Sequence, residues 1–208
     1  MLRVLTWVLV LAAATATVGS IPALAQQNNF VGVYTDEQMT ANTTTVTAGD
    51  LLTVYVILSN PRNPHIGDQS NALVETIGCY SFALDMSTNL ELLDKAAKPV
   101  VPGCLGECTE YRTCYGVLIP VGSDRHITLR SFDLRYLGAG PAEIRLRPHT
   151  VNVIEGEMDY WYRDAQLTGW VLPMYPASGS FELPVFVVDE GQVPVQAATW
   201  GSLKTIYR

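Results

Sequence analysis

Histidine is scarce in this chain: there are three among 208 residues, and they stand far apart at His65, His126 and His149. No strained G-x-S-x-G turn accompanies them, so the usual sequence signature of a serine hydrolase is missing. Ser178-Gly179-Ser180 reads as an ordinary turn. Positive charge is scarce too, with 13 Lys and Arg against 20 Asp and Glu and a formal net charge of −7. A chain of that sign repels phosphate backbones and anionic lipid, which argues against nucleic acid and membrane surfaces as partners. After residue 25 there is no apolar run of roughly 20 residues, the length a membrane-spanning helix needs. Helical periodicity is nearly absent, and strands do not alternate with helices, so parallel α/β folds are excluded. Internal repeats and low-complexity tracts are lacking as well.

The first 25 residues have the three parts of a secretory signal peptide. Arg3 supplies the charge, Val4 to Ala14 the apolar stretch, and Gly19, Ser20 and Pro22 the helix break. Ala23 and Ala25 are small side chains at the positions read by signal peptidase, which places the cut after Ala25. Residues 1–25 are therefore expected to be removed from an exported protein, secreted or held at the cell surface.

Export changes how the cysteines read. In an oxidising compartment an even count implies disulfides. Cys79, Cys104, Cys108 and Cys114 allow three pairings. The pattern favours Cys104–Cys108 as a local staple and Cys79–Cys114 as a tie to a strand, though spacing alone does not choose. Zinc is disfavoured because paired C-x-x-C knuckles are missing.

Residues 26–188 read as strands and turns. Short runs of Val, Ile, Leu, Tyr and Thr are separated by Gly, Pro, Asn and Asp. Strands are expected at 30–34, 43–47, 51–59, 77–86, 90–93, 115–121, 127–136, 142–147 and 181–188. A short one is placed at 169–172, within an aromatic loop spanning 151–180. Residues 94–114 read as a Cys-, Pro- and Gly-rich loop. The strand at 77–86 alternates Tyr80, Phe82, Leu84 and Met86 with Cys79, Ser81, Ala83 and Asp85. The expected fold is all-β: a two-sheet antiparallel β-sandwich. Residues 189–198 read as a linker. In 199–208 Trp200, Leu203 and Tyr207 recur at helical spacing, which predicts a short amphipathic C-terminal helix.

Two stretches carry a family likeness. Thr47-Ala48-Gly49-Asp50-Leu51-Leu52-Thr53-Val54-Tyr55-Val56, then Ser59-Asn60, then Tyr80-Ser81-Phe82-Ala83-Leu84-Asp85, resemble the opening of cohesin-like β-sandwich domains. Other bacterial immunoglobulin-like domains open in the same way. The resemblance covers residues 29–93. It implies a non-catalytic sandwich, in a family whose members bind the dockerin module of a partner protein. No dockerin-type Ca²⁺ repeat stands in this chain, and cohesin contact residues do not map onto it one by one. The ending Trp200-Gly201-x-x-Lys204-x-x-Tyr207-Arg208 resembles one shared by secreted bacterial proteins that pair it with a sandwich domain, which implies a sorting or surface-retention tail.

Two clusters have chemistry to offer. Glu155-Gly156-Glu157-Met158-Asp159 is the densest acidic run and a candidate for Ca²⁺, although it lacks the spacing of an EF-hand loop. Tyr160, Trp161, Tyr162, Trp170 and Tyr175 are flat faces of the kind that stack on sugars or anchor interfaces. Mixed with Leu167, Val171, Leu172 and Met174, they are read first as rings filling the core. Trp161 and Trp170 are the first candidates for ligand contact, with Tyr160 and Tyr175 beside them. The expected function is that of an extracellular or cell-surface binding or structural module, with a protein or polysaccharide partner and no resident cofactor. A carbohydrate-binding module working through the aromatics is the alternative, and a secreted hydrolase ranks last.

Overall fold

The computed structural model describes residues 28–64, 72–93, 107–163 and 168–190. The expected signal peptide, Cys104, most of the expected linker and the residues of the expected C-terminal helix lie outside them, and so do His65 and Leu167. The described residues are all-β, in thirteen strands: β1 (Phe30–Tyr34), β2 (Thr43–Val46), β3 (Leu51–Ser59), β4 (Arg62–Asn63), β5 (Ala72–Leu73), β6 (Thr76–Met86), β7 (Leu90–Leu92), β8 (Glu107–Pro120), β9 (His126–Tyr136), β10 (Ala142–Arg147), β11 (Met158–Arg163), β12 (Gly169–Pro176) and β13 (Phe186–Glu190). None of the described residues forms a helix long and apolar enough to cross a membrane.

One layer runs β1–β3–β9–β7, antiparallel throughout. The other is built on β6. One edge of β6 pairs along its length with β8. Its opposite edge is shared by two strands in series. β10 pairs with residues 83–86 and β11 with residues 79–81. Pro148 follows β10 directly; it has no N–H to donate, so the ladder stops there and resumes at β11. β13 and then β2 extend the sheet beyond β10, while β12 extends it beyond β11.

The sheet layout corrects the antiparallel expectation. β2 runs parallel to β13, and the end of β12 runs parallel to β1, with Phe30 opposite Tyr175 and Val31 opposite Pro176. β12 thus joins the two layers into one mixed sheet. Period-two patterning tells which face a side chain takes and nothing of the neighbour's direction, so a mixed layout was not visible in it.

Three boundaries also differ. β8 begins at Glu107, inside the expected loop 94–114. Thr109 and Tyr111 face the core, but polar residues between them diluted the hydrophobic signal. β11 lies in the expected aromatic loop 151–180; Met158-Asp159-Tyr160-Trp161-Tyr162 contains a turn-type residue, Asp159, and has little contrast between its faces, which hid the strand. β13 spans Phe186–Glu190, starting later than the expected 181 and entering the stretch read as linker.

The two layers close over one core. Val54, Val56, Leu58, Phe132 and Leu134 from the first meet Phe82, Leu84, Met86, Ile144, Leu146, Met158 and Tyr160 from the second. Tyr111 bridges them, its ring 5.5 Å from Phe82 and 4.7 Å from Phe132, in the tilted geometry aromatic pairs prefer. The Gly-Asp turn behind the family likeness is closed by its own side chains. Thr47 donates from N–H and hydroxyl to Asp50 Oδ2 at 2.8 and 2.7 Å, which holds the Asp50 carboxyl below its usual range. Gly49 takes φ +95° there, a conformation costly for any residue with a Cβ.

Several polar side chains at the core pair with one another or with backbone. Tyr160 Oη donates to Asn29 Oδ1 at 2.9 Å, and Asn29 Nδ2 donates to the Arg62 carbonyl at 3.0 Å. Asn63 Nδ2 donates to Tyr162 Oη at 2.5 Å. Desolvation pushes the hydroxyls of Tyr160, Tyr115 and Tyr34 above the ordinary tyrosine value. A proton is then held more tightly in the folded chain than in the unfolded one. Stability from these groups is complete below the ordinary tyrosine pKa of about 10 and falls as pH rises through and above it. Ultraviolet absorbance should show part of the tyrosine titrating only together with unfolding. A single smooth titration near the ordinary value, with near-UV circular dichroism unchanged, would contradict this.

Candidate functional site

The outer face of the β6 layer is where strand geometry gathers chemistry. Residues that alternate out of the core bring Cys79 and Ser81 of β6, Arg112 and Cys114 of β8, Asp159 and Trp161 of β11 and Val171 of β12 onto one surface. With Val153 from the loop after β10 they line a groove of about 240 Å³.

Trp161 is its dominant side chain. It lies opposite Cys79 on one side and Val171 on the other. A Cβ placed on Gly78 would overlap its Cε3 and Cζ3 atoms, and one on Gly169 would come within 2.8 Å of Nε1. Gly78 belongs to β6 and Gly169 to β12, the strands flanking β11. The indole therefore lies flat across β11, with one edge over each glycine. The β6–β8 pairing is irregular between Ile77 and Cys79, next to Gly78. Glycine here allows a close approach of ring to backbone. The Arg163 guanidinium sits 5.6 Å from the ring centroid.

Beside the indole, Cys79 and Cys114 form the disulfide of the described residues, across directly paired positions with Cα atoms 4.0 Å apart. This is the expected pairing. Of the second expected bridge, Cys104 lies outside the described residues. Ser81 Oγ donates to Asp159 Oδ1 at 2.5 Å, and the Val153 N–H donates to Asp159 Oδ2 at 2.8 Å. Both carboxylate oxygens are thus engaged. Apolar side chains frame the groove: Val153 is 63% exposed and Leu118 39%.

The loop between β10 and β11 is laid over this face. Thr150 N–H donates to Glu110 Oε1 at 2.7 Å, and His149 Nε2 stands 3.7 Å from Glu110 Oε2. Farther along β6, Asp85 is fully buried and receives Arg147 Nε at 2.7 Å. The loop and these ion pairs account for burial of Ser81, Ala83 and Asp85 on a face that faces outward.

The aromatic residues singled out in the sequence divide. Tyr160 and Tyr162 point inward and are buried in the core. Trp170 packs partly buried against the core cluster. Tyr175, 38% exposed, tilts against Phe30 at 6.2 Å, at the junction with β1. Trp161 alone of these lines the groove. The acidic run 155–159 does not converge: Asp159 is turned into the Ser81 contact, and among the described residues no group of three His, Cys, Asp or Glu is placed to hold a metal. His126 pairs with Asp124 at 3.1 Å, on a turn away from the groove. The partners sequence reasoning missed are Arg112, Gly78 and Gly169. The glycines carried a signal, since glycine inside or at the start of a strand marks a close approach.

No protein-family model and no curated protein matches the chain. Similar solved structures include a type II cohesin domain from the cellulosome of Acetivibrio cellulolyticus, with a TM-score of 0.41 and 10% identity over 71% of this chain and 91% of that one. Another is the seventh ScaB type I cohesin from Pseudobacteroides cellulosolvens, with a TM-score of 0.45 and 10% identity over 82% of this chain and 97% of that one.

Proposed function

We propose that this chain is an exported, non-catalytic binding module that engages a protein partner through the outer face of the β6 layer. The observation that carries the reading is Trp161, held flat over Gly78 and Gly169 within a rim of Leu118, Val153 and Val171. A tryptophan fixed on a rigid sheet, with an arginine beside it and apolar neighbours, has the make-up of an interface hot spot. Exposed apolar side chains clustered around such an anchor mark contact surfaces. The rim is more apolar than a sugar's hydroxyls call for, which favours a protein over a polysaccharide. The leader-like first 25 residues and the cohesin-like stretch at 29–93 support the same reading from sequence.

The test is comparative. Partners retained from culture supernatant by the wild-type chain are identified, purified and remeasured against Trp161→Ala by calorimetry. The expected loss is at least about 30-fold in affinity, as for a central hot-spot residue, with the circular dichroism of the variant unchanged. Retention of polysaccharide alone, or turnover of ester, peptide or glycoside substrates abolished by Trp161→Ala, would overturn it.

A further inference from the structure

We infer that the Trp161 groove recognises an acidic side chain flanked by apolar residues in an extended segment of its partner. This rests on reading the groove as a protein-binding surface and adds the chemistry of what it reads. Arg112 lines the groove and is exposed. Among the described residues no hydrogen bond or ion pair engages its guanidinium. The nearest acidic candidate, Asp159, has both oxygens committed to Ser81 and Val153. Two other arginines of this outer face are paired with carboxylates, Arg147 with Asp85 and Arg145 with Glu143 at 3.0 Å, while Arg163 lies over the Trp161 ring.

Arg112 therefore offers a carboxylate a planar, two-pronged donor, the strongest kind of charge-assisted contact for that group. Val153 and Val171, the disulfide and Trp161 line the same groove, so the residues flanking an anion bound at Arg112 find apolar seats along it. The chain as a whole is acidic, at −7, so long-range attraction does not bring the anion in. Local pairing gives specificity more than speed.

The probes are acetylated, amidated pentapeptides centred on Leu-Glu-Leu, Leu-Gln-Leu and Leu-Lys-Leu, titrated into the whole chain while the Trp161 indole N–H resonance is followed by NMR. The Glu peptide should bind about tenfold more tightly than the Gln peptide, as expected for loss of a charge-assisted contact, and the Lys peptide more weakly still. In Arg112→Gln, whose exposed position leaves the fold intact by thermal melting, the Glu and Gln peptides should bind alike. Equal binding of the two by the wild type, or a Glu preference that survives in Arg112→Gln, overturns the inference and leaves the protein-binding reading standing. If none of the peptides shifts the resonance, or oligouronates do so in their place, both readings fall.

Discussion

Replacing Arg147 with Met should cost about 3–5 kcal/mol of folding stability, the range seen when one member of a buried ion pair is removed. Asp85 sits one residue from the end of β6, its side chain fully buried, with Arg147 Nε at 2.7 Å. Arg147 is itself a quarter exposed, and Glu182 Oε1 lies 3.8 Å from its far nitrogen. The asymmetry matters: the carboxylate depends on the guanidinium far more than the reverse. Met fills much of the arginine stem's volume, so the loss reports the charge and not a cavity. The double variant Asp85→Leu/Arg147→Met should recover most of the stability, because two apolar groups need no partner. Urea midpoints of the three proteins decide the matter. A loss under about 1 kcal/mol in Arg147→Met, the range of a surface pair, would mean that water reaches Asp85.

Removing the disulfide should be nearly as damaging. Cys79→Ala/Cys114→Ala is expected to lose about 2–4 kcal/mol, chiefly by freeing the unfolded chain across a sequence separation of 35. That interval runs from β6 through β7 into β8, so the bridge ties together two strands that are distant in sequence. Reductant added to the wild type should move its urea midpoint to that of the double variant. A midpoint that does not move on full reduction would show that cross-strand pairing alone holds β8 to β6.

These two sites show how unevenly the sequence discloses the molecule. The hydrophobic strands were legible: Leu51–Ser59 and Ala142–Arg147 have the boundaries read from alternation, because apolar residues there report burial directly. The Cys79–Cys114 pairing was legible as a preference, since one cysteine fell in a strong strand. Asp85 was placed on the outward face correctly, yet its burial was invisible, for what covers it comes from Arg147 and the loop beyond, distant in sequence. The aromatic cluster was legible only in part, for a related reason. Tyr160, Trp161 and Tyr162 are adjacent in the chain and opposite in space, so proximity in sequence suggested one platform where a strand makes two faces. Arg112 was missed because an exposed arginine carries no pattern; what sets it apart among the described residues is that the acids near it, Glu110 and Asp159, are bonded elsewhere.

The succession of β10 and β11 along one edge of β6 has a further meaning. Each is fastened to β6 by its own ladder, and each has its own outer neighbour, β13 or β12. The residues between them, 148–157, are thus an insert in a frame that keeps its register whatever their number. They also overhang the groove and contribute Val153 to its rim. A change confined to residues 151–155 therefore alters the rim of the groove while leaving the ladders that hold β10 and β11 to β6 in place.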